Sequence, residues 1–334
     1  MTEFQHHQTA HCESGVTSNL LRNAGVELSE AMAFGIGSGL FFVHLPIVKV
    51  MGIPLTSYRS FPGGIFKKTC KRLQIAYKYF NFRNAMVGTR ALDELLRGAR
   101  AVGVRANIFW LNYIPEKFRF QFNAHNLIVY GREASGEYLV SDPVMETASQ
   151  CAGSSMTRAR FSKGPLSPKG LLFYPTPNGV PTEVQLERAV RKGIRETTNA
   201  MLFKPVFFSG VSGIRYLSRR MRKWPRQLND TDQLKLFVSN VVRMQEEIGT
   251  GGAGFRLLYA AFLQEAGVRF NQPALITASQ QLTEAAGLWR EFATLAARFC
   301  KDRLEGSFDA IPDLLLKIAD SEERVFRGLR RDYL

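Results

Sequence analysis

The chain has 334 residues, 45% hydrophobic and 22% charged, which is enough apolar material for a sizeable core and excludes a disordered or fibrous chain. At this length two domains are expected. Lysine and arginine outnumber aspartate and glutamate by 44 to 29, a net charge of +15. Both sides of residue 178 are basic, which points to an acidic or phosphate-bearing partner and says nothing of the fold.

The opening MTEFQHHQTA lacks the basic start, apolar stretch and small-residue cleavage site of a secretory signal, so a cytoplasmic protein is expected. The most apolar stretch, residues 31–55, carries glycines, His44, two prolines and Lys49, a mixture suited to a core and not to a transmembrane span. Cys12, Cys70, Cys151 and Cys300 lie far apart with no CxxC pair. This argues against a disulfide framework and a structural zinc site, and no metal is expected.

In chain order, residues 13–23 fit a helix with Val16, Leu20 and Leu21 inward and Gly25 as its stop, which sets Cys12 at the helix N-terminus. A second helix is expected from Thr89 through Leu92, Leu95, Leu96 and Ala99 to Gly103, followed by a strand VRANIFW. Next comes a hairpin with arms HNLIVYG (125–131) and EYLVSDP (137–143), joined by a polar turn that bears Gly136. The segment PTPNGVPTE (175–183) has linker chemistry, and divides a mixed domain over 1–178 from a helical domain over 183–334. Helices are expected there at 184–202, 208–223, 231–248, 255–266, 274–303 and 311–329, where apolar residues recur at three and four.

A cysteine at a helix start gains thiolate character from the unpaired N–H groups around it. It also needs a base within hydrogen-bond reach and a third group that orients the base. The hairpin supplies both if residues 127 and 140 face each other, because His125 and Asp142 then also face each other at one end of the ribbon. Singly, each residue has an ordinary reading: an inert buried thiol, a histidine bonded to a core carbonyl, an Asp-Pro strand terminator. Their joint arrangement is what points to chemistry.

Three segments resemble the BtrH-like family, whose namesake is the butirosin-biosynthesis acyltransferase: TAHCESGVTSNLLRNAGVELSEAMAFGIGSGLFF, HNLIVYGREASGEYLVSDP and EEIGTGGAGFRLLYAAFLQEA. The first domain is also similar in plan to the bacteriocin-processing cysteine peptidases of ABC transporters. The resemblance implies an α+β fold, a papain-like cysteine-enzyme domain followed by an all-helical domain, with Cys12 as nucleophile, His125 as base and Asp142 as orienting carboxylate. It implies acyl transfer from an acidic acyl carrier protein to a small amine or hydroxyl acceptor. No cofactor would be bound, and the carrier's phosphopantetheine arm would form part of the substrate. A peptidase or amidase using the same three residues, and a non-catalytic binding protein, remain alternatives.

Other segments carry weaker expectations. Papain-like enzymes place an oxyanion-stabilising Gln about six residues before the Cys; Gln5 and Gln8 lie seven and four before Cys12, whose own N–H is the other donor. FGIGSGL (Gly35, Gly37 and Gly39) departs from a dinucleotide fingerprint and is expected to wall the acyl pocket through close backbone packing. GTGGAG (Gly249, Thr250, Gly251, Gly252) either cradles a phosphate or is a turn that needs positive φ angles. The run RYLSRRMRKWPR offers Arg219, Arg220, Arg222 and Lys223 for carrier docking, the ordinary alternative being a solvated face. With no helix-turn-helix, zinc finger or aromatic RNA motif beside it, nucleic acid is not expected.

Overall fold

The computed structural model describes residues 4–50, 52–203, 206–228 and 230–334. The elements begin with α1 (Cys12–Asn23), α2 (Glu30–Ile36), β1 (Leu40–Val50), β2 (Ile53–Arg59), α3 (Ile65–Arg72), β3 (Tyr77–Phe80) and α4 (Ala85–Arg97). They continue with β4 (Val102–Ala106), β5 (His125–Arg132), β6 (Tyr138–Ser141), β7 (Ser149–Cys151), α5 (Gly153–Arg160) and β8 (Leu172–Pro175). Helices follow: α6 (Glu183–Leu202), α7 (Gly210–Met221), α8 (Trp224–Gln227), α9 (Thr231–Glu246), α10 (Arg256–Arg269), α11 (Pro273–Cys300) and α12 (Ala310–Asp332). The fold is α+β, with an N-terminal sheet and a helical C-terminal region.

Two compact units result: one holds the chain up to Ala33 and Ile65–Leu186, the other Phe34–Gly64 and Glu187–Leu334. This is not a single cut between 178 and 183. Residues 34–64 form the antiparallel β1–β2 hairpin and group with the helices, so the second unit is not all-helical. The physical reason is pairing and packing: Val43 bridges Ser209, the His44 N–H bonds the Phe208 carbonyl at 3.0 Å, and α7 and α9 pack on β1 and β2.

The first unit is built on a six-stranded antiparallel sheet in the order β3-β8-β4-β5-β6-β7. Leu127 and Val129 of β5 enter a buried cluster with Leu92, Val104, Val140 and Met156. The two-residue period of a strand turns Asn126 and Ile128 to the opposite face. Helix α1 packs against β5, β4 and β8. Its residues from Cys12 to Leu21 are all buried, including Ser14, Thr17, Ser18 and Asn19. Burial of those polar groups is offset by hydrogen bonds: the Thr17 hydroxyl to the Glu13 carbonyl at 2.7 Å, the Ser18 hydroxyl to that of Leu28 at 2.6 Å, and the Asn19 amide nitrogen to that of His7 at 2.8 Å.

Two local expectations are corrected. The second helix starts at Ala85, because Asn84 caps it by accepting the Val87 N–H at 3.2 Å, and it stops at Arg97; Thr89 lies inside it. The strand after it opens at Val102 and includes Gly103, which pairs with Ile128 and Phe173, while Ile108–Trp110 form a 3-10 turn. The hairpin register is also offset. Ile128 faces Ser141 and Val129 faces Val140, with an irregularity before Gly131.

Candidate active site

Cys12 opens α1, with His11 as N-cap in extended conformation (φ −132°), its imidazole accepting the Ser14 N–H at 3.3 Å. Glu30, at the start of α2, accepts the N–H groups of Ala10 (2.9 Å) and His11 (2.8 Å) and the Ser14 hydroxyl (3.0 Å). The segment that enters the helix is therefore fixed on both sides of the turn. Burial pushes the Glu30 carboxyl above the usual carboxylate range, and these three donors oppose the shift.

His125 begins β5 and Asp142 follows β6. Although the register does not set them opposite each other, His125 Nε2 lies 2.7 Å from Asp142 Oδ2. The chain beyond β6 turns on itself: Asp142 Oδ1 accepts the Val144 N–H at 3.3 Å and its carbonyl the Met145 N–H at 3.0 Å. The Tyr113 hydroxyl donates to Oδ2 at 2.8 Å, so the carboxylate, 0% exposed, is held from three directions. That compensation is what a buried charge requires. Burial and then the Asp142 charge push the Tyr113 phenol well up, and it stays a donor.

Nε2 is engaged by Asp142, and the His125 ring is also hydrogen-bonded to Cys12. Burial disfavours the charged ring, yet the Asp142 carboxylate and the contact with Cys12 outweigh it and raise His125 to about 10. The geometry thus brings together a thiol at a helix start, an imidazole inclined to hold a proton, and a carboxylate that orients it. Cys12 is 8% exposed and His125 4% exposed, in a site shielded from bulk water.

The other thiols lack this setting. Burial pushes Cys70 and Cys151 up to about 12 and also raises Cys300, which leaves all three protonated near neutral pH. Among the described residues no group of His, Cys, Asp and Glu could hold a metal ion. None of the described helices is long and apolar enough to cross a membrane.

Two family models match the chain: residues 11–143 fit the N-terminal domain of butirosin biosynthesis protein H, and residues 154–329 fit a domain of unknown function, DUF4872. The chain belongs to the DUF4872 family, with a BtrH-type N-terminal domain. A search of curated proteins finds no match. The BtrH-type match includes Cys12, His125 and Asp142 and ends one residue beyond the carboxylate.

The remaining expected site residues of this BtrH-like chain fall elsewhere. Gln5 and Gln8 are exposed, and Gln5 exchanges backbone bonds with Asn23 at the far end of α1 (2.8 and 3.0 Å), roughly 16 Å of helix from Cys12. That distance removes Gln5 as an oxyanion donor. Another side chain at the sulfur is one the sequence did not single out: Asn126 Nδ2 lies 3.8 Å from Cys12 Sγ. Its signal was a polar residue inside an apolar strand. Tyr113 and Glu30 gave no comparable sign.

Gly35, Gly37 and Gly39 are buried, but Gly35 lies against the ring of Phe262 and Gly39 against that of Phe34, closer than any Cβ would allow. The close backbone packing expected of this segment is thus made against aromatic rings. In GTGGAG, residues Gly249, Gly251, Gly252 and Gly254 all take positive φ. The Thr250 hydroxyl accepts the Gly252 N–H at 3.1 Å, and the Glu246 carboxylate accepts that of Ala253 at 3.1 Å. Arg256 grips the Gly254 carbonyl at 2.8 Å. A carboxylate of the chain itself stands where the phosphate was expected, and the turn reading accounts for the glycines. The basic run is split as well. Arg222 is paired with Asp313 and Asp309, Arg220 has a buried Nε, and only Arg219 and Lys223 of the four are exposed.

Proposed function

We propose that this chain is an acyltransferase that moves an acyl group from the pantetheine thioester of an acyl carrier protein, through an acyl-enzyme on Cys12, to an amine or hydroxyl acceptor. The observation that carries the reading is the buried arrangement of Cys12, His125 and Asp142 inside the BtrH-type segment. A papain-like plan for the first unit belongs to the same reading, supported by a helix with cysteine at its N-terminus packed on an antiparallel sheet that carries the histidine.

In the reaction, Cys12 Sγ attacks the thioester carbon, the bond from that carbon to the pantetheine sulfur breaks, and His125 gives its proton to the departing thiolate. The acceptor then attacks the acyl-enzyme and hands its proton to His125, and the Cys12 thiolate leaves. Asp142 holds the ring in one orientation and stabilises the imidazolium at both stages. The cytoplasm, where thioester carriers are made and thiols stay reduced, is the compartment this chemistry suits.

The test offers one preparation three substrates: a carrier-bound acyl group, the same acyl group on free pantetheine, and a peptide. Thiol release from both thioesters with an intact peptide is expected. Peptide cleavage without thioester turnover would assign the same residues to a peptidase.

A further inference from the structure

The oxyanion of a thiol acyl transfer needs donors placed before the reaction, and of the two glutamines upstream of Cys12 Gln5 is held away from it. Gln5 is tied by its backbone to the distant end of α1, and both side chains are exposed. A different amide sits at the sulfur. Asn126 is 2% exposed, and the strand period turns it away from the cluster that takes Leu127 and Val129. Its Nδ2 lies 3.2 Å from the Ala124 carbonyl and 3.8 Å from Cys12 Sγ. An amide nitrogen carries two hydrogens. The bond to Ala124 fixes the plane of the group, and the second hydrogen is directed at the nucleophile.

We propose that the Asn126 side-chain amide is the side-chain half of the oxyanion site, acting with the Cys12 backbone N–H at the start of α1. The inference rests on the acyl-transfer reading above. In the resting state the second N–H is spent on sulfur, where it favours the thiolate. As Sγ bonds the thioester carbon, the sulfur gives up its negative charge and the carbonyl π pair moves onto oxygen. The hydrogen bond from that N–H then passes from sulfur to the oxygen, which is two bonds from the sulfur through the attacked carbon. When the oxyanion collapses, the pair returns to the carbonyl, the bond to the pantetheine sulfur breaks, and the leaving thiolate takes the His125 proton. Asn126 thus follows the charge along the reaction without a change of rotamer. Burial makes the bond to the oxyanion stronger than it would be in water.

The experiment exploits a reaction of Cys12 that makes no oxyanion. Alkylation by iodoacetamide displaces iodide from a saturated carbon, so it reports thiolate supply and access alone. Acylation by N-acetylcysteamine thioesters of acetate, butyrate and hexanoate, followed by intact-protein mass, reports thiolate supply and oxyanion stabilisation together. In Asn126→Ala and Asn126→Leu, acylation is expected to slow by about 10²- to 10³-fold, the usual cost of one lost oxyanion donor, while alkylation of Cys12 changes by no more than a few-fold. Asn126→Gln, which keeps the donor, should recover part of the acylation rate. Alkylation confined to Cys12 and run well below pH 8, with buried Cys70 and Cys151 left unmodified, shows that the variant is folded. An equal fall in both reactions would make Asn126 a positioning residue for the thiolate and overturn the proposal, as would unchanged acylation. Failure of the unsubstituted protein to acylate with any thioester, while alkylation persists, would overturn the acyl-transfer reading itself.

Discussion

At His125 burial pulls against the protonated ring, and the Asp142 carboxylate wins because it sits 2.7 Å from Nε2 and is itself held by Tyr113 and Val144. A base whose folded value is raised keeps its proton below that value and loses it as pH climbs, so the ring stays an imidazolium from neutrality to about 10. The alkaline limb of the kcat/KM profile is therefore expected near that pH. In Asp142→Asn the largest raising influence is gone, and the limb should move down toward neutrality. Turnover should fall by about 10²- to 10⁴-fold, since the amide also favours the wrong tautomer. A pH profile of both proteins checks this, and an unmoved limb would count against the pairing. The pair was legible in the sequence, as a histidine and an Asp-Pro at the same end of a hairpin. The expected register was not, because the bulge before Gly131 and the turn after Ser141 place Asp142 by local bonds and not by strand pairing.

Among the elements, the helices of the second unit were the most readable, since their apolar residues repeat at helical spacing over long segments, as in α11 (Pro273–Cys300) and α12 (Ala310–Asp332). The β1–β2 hairpin was read only as core, because nothing local says that strand pairing and helix packing will join residues 34–64 to a partner far along the chain. Two glycines measure how much packing decides. At Gly35 an added methyl would lie inside the van der Waals envelope of the Phe262 ring, and Gly35→Ala is expected to destabilise by about 1–3 kcal/mol. At Gly287, exposed within α11 with nothing near the added carbon, Gly287→Ala should stabilise by about 0.5–1 kcal/mol. Denaturant midpoints of the two variants distinguish these signs.

The same hairpin carries His44, which bonds the Thr56 hydroxyl at 2.9 Å and packs near Tyr216 and Trp224. Burial, then the Arg220 charge, lowers it to about 4. The folded protein holds this ring neutral while the unfolded chain protonates near the ordinary histidine value, so stability is level above about pH 6.5 and falls as pH drops toward 4. The loss amounts to about 3 kcal/mol at the acid end. His44→Gln removes the titration. Denaturation at pH 7 and pH 4.5 should show a smaller difference between the two pH values for the variant, and an identical difference would contradict the buried neutral assignment.

For the molecule as a whole, a net charge of +15 bears on solubility and association and not on the fold. With Arg222 engaged by Asp313 and Asp309, the exposed members of the basic run are Arg219 and Lys223, one helical turn apart in sequence. If an acidic carrier docks there, Arg219→Glu with Lys223→Glu should cut kcat/KM for carrier-bound acyl groups and leave that for a free pantetheine thioester nearly unchanged. Raising salt from low to physiological should act in the same direction. Equal, small effects on both substrates would mark a solvated basic face.

The proposed acyl-enzyme is open to a direct test. Carrier-bound acyl thioester is mixed with the protein in the absence of any acceptor, the reaction is quenched in acid, and the intact mass and its peptides are read. A gain of one acyl group, mapped to Cys12 and absent from Cys12→Ala, is the expected result. An adduct on another residue, or undiminished transfer by Cys12→Ala, would contradict it.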